Sequence, residues 1–164
     1  LSTVTIALEI DRRVASVRGP HYTVRMAGNM RKADDILRFI TAGSATFTVK
    51  SVRTGKHFTY HIKADNKDKP TRWGVELLTG PDRYDYLGTA FASKPFLPAS
   101  RFTGAPSVQG LLWLIEHLKA RGEDVIDARQ VEFSHAGVCG RCRRELTEPL
   151  SLAIGLGPEC RKKA

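Results

Sequence analysis

Thr46-Phe-Thr-Val-Lys-Ser-Val52, Phe58-Thr-Tyr-His-Ile62, Trp73-Gly-Val-Glu-Leu-Leu78 and Tyr84-Asp-Tyr-Leu-Gly-Thr-Ala-Phe91 are four short runs rich in β-branched and aromatic residues. The first alternates apolar and polar positions, the period of a half-buried strand. Polar breaks separate the runs: Arg53-Thr-Gly-Lys56 and Gly80-Pro81-Asp82 have turn composition, and Asp65-Asn-Lys-Asp-Lys-Pro70 reads as a mobile tip. Together they predict an antiparallel β-meander over residues 45–91. Such a sheet must cover one face, which places the chain in the α+β class.

The flanks supply the cover. Met30, Ala33, Ile36, Leu37 and Ile40 recur at helical spacing, with Asn29 placed to cap the helix N-terminus. Val108, Leu111, Leu112, Ile115 and Leu118 form a second apolar stripe; Ser107 precedes it as a cap and Gly122 closes it. Pro95, Pro98, Gly104 and Pro106 mark an irregular connector. Residues 3–10 and 21–26 read as further strands around the Arg18-Gly19-Pro20 break, and Val125 to Phe133 as a strand leading onward. The expected division is an α+β domain over residues 1–133 and a small module over 134–164.

That module holds all three cysteines. Cys139-Gly-Arg-Cys142 is a C-x-x-C knuckle in which two thiolates bind one ion, and Gly140 relieves the turn. Cys160 follows Cys142 after seventeen intervening residues, within the spacing of small zinc sites. A closed tetrahedral site needs a fourth ligand, and His135 is the nearest, with Gly137 allowing the chain to bend back. The residues therefore predict a structural Zn2+ bound by His135, Cys139, Cys142 and Cys160. Glu159, His117 or a ligand from a partner chain are the rivals to His135. Gly157-Pro158 suggests a turn into a short helix over Cys160-Arg-Lys-Lys. An odd cysteine count argues against a disulfide framework, and the flanking Gly137 and Arg143-Arg144 against a redox C-x-x-C.

Cys139-Gly-Arg-Cys142, Leu146-Thr-Glu-Pro149, Ser151 and Gly155-Leu-Gly-Pro-Glu-Cys160 resemble the pattern C-G-R-C-G-R-x-L-T-x-P-x-S-x-x-x-G-x-G-P-x-C. That pattern is the C-terminal zinc-ribbon domain of a phage- and prophage-encoded family of unknown function. The segment Thr46 to Phe91 is similar to the region that precedes the ribbon in phage proteins. The resemblance implies a phage or mobile-element origin and supplies no activity. One departure stands out: Arg143 occupies a position where the family has glycine.

The chain carries 26 Lys and Arg against 17 Asp and Glu, a net charge of +9, which favours a polyanionic partner. The charge is uneven: +3 over residues 1–43, +5 over 44–104, −2 over 105–138 and +3 over 139–164. DNA or RNA is the expected partner. Lys50, Arg53, Lys56, Lys63 and Arg72 would meet phosphates on the sheet, with Phe58, Tyr60 or Trp73 as stacking surfaces. Arg141, Arg143, Arg144, Arg161, Lys162 and Lys163 would do so on the zinc module. The alternative is a protein-binding modulator of host machinery, such as a host-defence antagonist, with the module as a docking knob.

Catalysis has little sequence support. His57 and His61 fall on one strand face, where His21 or Asp85 would complete a site, but Gly55-Lys56 lacks the rest of a phosphate loop and no His-x-Glu precedes the C-x-x-C. No apolar run reaches membrane-spanning length, and no signal sequence opens the chain. Free thiols at a metal site fit a reducing compartment. The expectation is a non-enzymatic protein of the host bacterial cytoplasm, with no membrane partner.

Overall fold

A computed structural model describes residues 28–164, so the strands expected at 3–10 and 21–26 lie outside the described residues. Among the described residues seven strands form one antiparallel sheet: β1 (Gly28–Met30), β2 (Ser44–Ser51), β3 (His57–Ala64), β4 (Arg72–Gly80), β5 (Arg83–Phe91), β6 (Leu97–Pro98) and β7 (Val131–His135). Their order is β1-β7-β2-β3-β4-β5-β6. The helices are α1 (Ala33–Thr41), α2 (Pro106–Arg121) and α3 (Pro149–Ile154). The architecture is α+β, and β2 to β5 are the meander read from the sequence.

Strand alternation sorts the sheet into two faces. Ala45, Ile62 and Val75 stand in register on one, as do Phe47, Tyr60 and Leu77. Their core includes Ile36, Phe39 and Ile40 of α1 and Val108, Leu111, Leu114 and Leu118 of α2. Phe133 of β7 stacks on Phe47 at 4.9 Å, and Phe39 meets it edge-on at 6.2 Å. Each large side chain buried here contributes about 1.5–3 kcal/mol of apolar transfer. The stacking surfaces expected from the sequence belong to this face. Tyr60 is buried and donates its hydroxyl to the Ser107 carbonyl at 2.7 Å. Trp73 packs against the core and donates Nε1–H to the Thr41 carbonyl at 3.1 Å, and Phe58 packs there too. Tyr60 is therefore closed to bases, while Phe58 and Trp73 are committed to the core on one side and remain partly exposed.

The opposite face is polar. Thr46, His61, Glu76 and Tyr86 run in register across β2 to β5, with Lys63 beside Gly74 on the next row.

Three sequence expectations shift at their edges. Helix α1 begins at Ala33, after Lys32, which makes no side-chain cap. Asn29 and Met30 instead pair with Ser134 and Phe133 across β1 and β7. Met30 is helical in phase, but its backbone completes a strand pair and its side chain is buried in the sheet core. In α2, Ala105 takes the cap position and Pro106 the first turn, while Ser107 is buried. Gly122 does end that helix, with φ +56 and its N–H on the Leu118 carbonyl.

The largest shift concerns β7. Its pairing runs through to His135, opposite Gly28 on one side and Phe47 on the other. A division between residues 133 and 134 would therefore cut an interior strand. The C-terminal module grows directly out of the sheet.

Candidate metal centre

After β7 the chain makes a narrow hairpin. Leu146 N–H bonds to the Gly137 carbonyl at 2.8 Å, Cys139 N–H to the Arg144 carbonyl at 2.8 Å, and Arg143 N–H closes the tip on the Cys139 carbonyl at 3.0 Å. Arg143 sits at φ +65, the left-handed region where a Cβ costs about 1–2 kcal/mol. This is why glycine suits the position. Arg143 compensates in part by donating Nη1–H to the Thr46 hydroxyl at 3.1 Å. Arg143→Gly is expected to leave metal binding intact and to raise the chain's stability by up to about 1 kcal/mol, read as a higher midpoint in denaturant. A lower midpoint would mean that the Thr46 bond outweighs the backbone strain.

Helix α3 is a helix that the sequence reading does not anticipate between the cysteines. Pro149 occupies its first turn, and Gly155 closes it at φ +73 with its N–H on Ser151. The returning Gly155 carbonyl accepts the Gly140 N–H at 2.9 Å, which lays the second limb against the knuckle. A 3-10 turn over Cys160–Lys162 then carries the third cysteine, where the sequence placed a short helix.

This path brings Cys139, Cys142 and Cys160 together, with their sulfurs within 4.8 Å of one another. All three are free thiols; Cys139 and Cys160 are buried and Cys142 is exposed. The Arg141 and Gly157 N–H groups each approach the Cys139 sulfur at 3.5 Å. Burial opposes ionisation of Cys139, yet these amides and that of Cys142 prevail, and its pKa falls below the ordinary thiol value. Cys160 moves the other way, to about 11, through burial and then through the neighbouring Cys142 and Cys139 sulfurs. Three thiolates this close repel one another, and a cation held among them removes that cost. The cluster has the donor set and spacing to hold a metal ion.

His135 is not part of it. The ring lies on the covered face of the sheet, fully buried and 5.5 Å from the ring of Phe39. Nε2 donates to the Leu152 carbonyl at 2.7 Å, and Nδ1 accepts the Gly137 N–H at 3.0 Å. Both nitrogens are thus engaged in joining β7, the hairpin and α3. Because Nδ1 accepts a hydrogen bond the ring is neutral, and burial depresses its pKa in the same sense despite the Leu152 carbonyl. The proximity that nominated His135 along the sequence reflects a structural role. His117 lies on α2, stacked on Trp113 at 4.8 Å, and Glu159 lies 3.9 Å from Lys162. Neither joins the sulfurs.

The module has a small core of its own, in which Ala42, Cys139, Leu146, Leu156 and Cys160 are buried together. Further contacts tie it to the sheet. Ser44 N–H bonds to the Gly140 carbonyl at 2.6 Å. Arg141 bonds to the Lys67 carbonyl at 2.8 Å and to Asp68 at 2.7 Å. The Arg38 guanidinium donates to the Arg161 carbonyl. The 65–70 loop, expected as a mobile tip, is internally braced. Asp65 accepts from the Thr71 hydroxyl at 2.7 Å and its N–H at 3.1 Å, which with other backbone bonds hold its carboxyl at about 2.

The candidate phosphate-binding residues divide. Arg141 is buried against the loop, and Arg161 is half-buried with Glu148 at 3.6 Å. These two brace the module. Arg143, Arg144, Lys162 and Lys163 are exposed, as are Lys50, Arg53, Lys63 and Arg72 on the sheet, while Lys56 is half-buried. Lys50, Lys63 and Arg72 share the polar face with Tyr84 and Tyr86. Arg143 reaches the same face at Thr46. Its charge adds to burial in lowering the His61 pKa and acts against burial at Tyr84.

His21 lies outside the described residues, and His61 meets Ser44 and Glu76. Its Nε2 lies 3.1 Å from the Ser44 hydroxyl and its Nδ1 3.5 Å from Glu76. Asp85 is engaged with Thr79, Arg83 and Arg101. The Ser44–His61–Glu76 order is that of a hydrolytic triad. However, Ser44, the first residue of β2, is only 5% exposed, and its N–H is committed to Gly140. A nucleophile needs access to substrate and nearby N–H donors free for an oxyanion.

No helix among the described residues is long and apolar enough to cross a membrane. The chain matches no curated protein and no solved structure. Residues 131–164, which span β7, the hairpin, α3 and all three cysteines, match a family described as "Family of unknown function (DUF6011)".

Proposed function

We propose that Cys139, Cys142 and Cys160 hold one structural Zn2+, and that the protein is a non-enzymatic, phage-type accessory protein binding DNA or RNA in the bacterial cytoplasm. Thiolates with tetrahedral reach favour zinc among the common intracellular divalent ions. The metal stiffens a hairpin with few apolar residues of its own. The observation that carries the nucleic-acid reading is the placement of Arg143, which extends from the knuckle to Thr46 on the polar sheet face. Module and sheet thereby form one surface, on which Arg143, Lys63 and Arg72 are exposed cations and Tyr86, half of it exposed, is an aromatic able to stack on a base. The high net positive charge supports the same reading. The buried position of Ser44 supports a non-catalytic one.

The test is a salt titration of binding to single- and double-stranded DNA and RNA. Affinity is expected to fall steeply with salt. Lys63→Glu with Arg72→Glu, and separately Arg143→Glu with Arg144→Glu, should each weaken binding and reduce the log–log slope by about two. Binding that is absent, or unchanged in both variants, would redirect the search to a host or phage protein docking on the module.

A further inference from the structure

We infer that the metal centre is coordinatively open. Three cysteine sulfurs supply the protein's ligands, and the fourth position faces a solvent cleft, where it is filled by water and is replaceable by a neutral nitrogen donor of the imidazole class. This rests on the proposed metal site and adds the number of its ligands and the accessibility of the ion.

Two independent features point there. The first is the ligand set. Among the described residues the group able to converge on an ion comprises only Cys139, Cys142 and Cys160. His135, the nearest imidazole in sequence, is fully buried with both nitrogens engaged. Gly28 shows how tightly that ring is enclosed, since a Cβ there would lie 2.6 Å from Nε2. His135 cannot swing to the sulfurs without breaking the junction of β7, α3 and the hairpin. Of the nearby carboxylates, Glu148 is held by the Ser151 hydroxyl at 3.3 Å and by Arg161. Glu159 lies beside Lys162 on the solvent side.

The second feature is shape. All three cysteines line one cleft of about 350 Å³, bordered also by Thr147, Glu159 and Lys163. Cys142 is exposed at its mouth. A closed site buries its ion behind four protein ligands, whereas one with three still cross-links the hairpin and leaves a position for water or an incoming donor. The cleft that the three cysteines line is large enough for several waters or an imidazole ring.

The charge balance selects the incoming donor. One Zn2+ with three thiolates carries a net −1. A further anion would add to that charge, and the two cations of the cleft, Arg144 and Lys163, are outnumbered by Glu145, Glu148 and Glu159. A neutral donor adds none. The position therefore suits water in the isolated protein, and imidazole nitrogen when one is presented.

The experiment replaces zinc with Co2+ in the full chain and follows its visible spectrum. Sulfur-to-cobalt charge-transfer bands should appear at one equivalent of metal. Titrated imidazole should then shift the ligand-field bands while the charge-transfer bands persist. X-ray absorption of the zinc form should give three sulfurs and one light atom. That pattern should be unchanged in His135→Gln, in Glu159→Gln and in His21→Gln, the last lying outside the described residues. Absence of charge-transfer bands would defeat the metal site itself. With those bands present, four sulfurs, a spectrum indifferent to imidazole, or a changed light-atom shell in any variant would overturn only the open position. Glu159 is exposed, so its variant and the wild-type measurement remain decisive even if His135→Gln fails to fold.

Discussion

Cys139→Ser is expected to take the metal content from one ion per chain to near zero and to lower the melting temperature by roughly 5–11 °C. Cys139 is the innermost of the three sulfurs, fully buried, and is approached by the Arg141 and Gly157 amides. A serine hydroxyl there is a poor zinc ligand, and it leaves those amides facing an atom that ionises far less readily. Without the ion, Cys142 and Cys160 lack a reason to remain adjacent. The size of the effect follows from linkage: an ion present at about a hundred times its dissociation constant contributes about 2.7 kcal/mol. For a chain of this length each kcal/mol corresponds to roughly 2–4 °C. The damage should reach beyond the module, because Gly140 in the same knuckle accepts the N–H of Ser44 at the start of β2. Metal analysis by a chromogenic chelator, with melting curves in zinc and in EDTA, provides the measurement. Stoichiometric metal retained in Cys139→Ser would show that the ion binds elsewhere.

The second large effect concerns Phe39, the side chain on which the module rests. It is 1% exposed and meets Phe133 and His135. The knuckle also comes down on its ring: a Cβ added at Gly140 would lie 2.6 Å from Cδ2, and one at Gly155 2.4 Å from the same atom. Phe39→Ala is expected to cost about 3–5 kcal/mol through lost burial and the cavity left behind. Gly140→Ala should cost about 1–3 kcal/mol by overpacking, since Gly140 is not in the left-handed region and the ring is its main obstacle. The two changes should couple. The double variant is expected to be more stable than the sum of the single losses predicts by about 0.5–3 kcal/mol, the range for residues in contact. Gly155→Ala should show less rescue, because its φ of +73 strains an alanine whether or not the ring is present. Denaturant midpoints for the four members of each cycle supply the numbers. Strict additivity at Gly140 and Phe39 would show that the module does not bear on this ring.

Period and turn chemistry exposed much of the fold in advance. The four meander strands appeared because the first alternates, all four are rich in β-branched and aromatic residues, and each ends at Gly, Pro or a polar cluster, which are local properties. Helix α2 appeared for the same reason. The convergence of the three cysteines was also local, since a C-x-x-C knuckle and a Gly-Pro turn bring sulfurs together with little help from distant residues. Glycine in the related pattern at the position of Arg143 has its counterpart in the φ of +65 found there.

What the sequence could not show depends on residues far apart along it. Nothing local to Val131–His135 states that this strand lies between β1 and β2, because strand order is set by which long-range pairing buries the most apolar surface once the helices have packed. That insertion carries His135 into the core and away from the three sulfurs. The same packing decides that Phe58, Tyr60 and Trp73 face the helices. It also buries Arg141 against the 65–70 loop while Arg143, two residues on, crosses to the polar face. Local chemistry alone determined that three thiols would meet near the carboxyl end. Only tertiary packing decided that the histidine beside them serves the fold, since a buried imidazole with both nitrogens hydrogen-bonded has no lone pair left to give a metal.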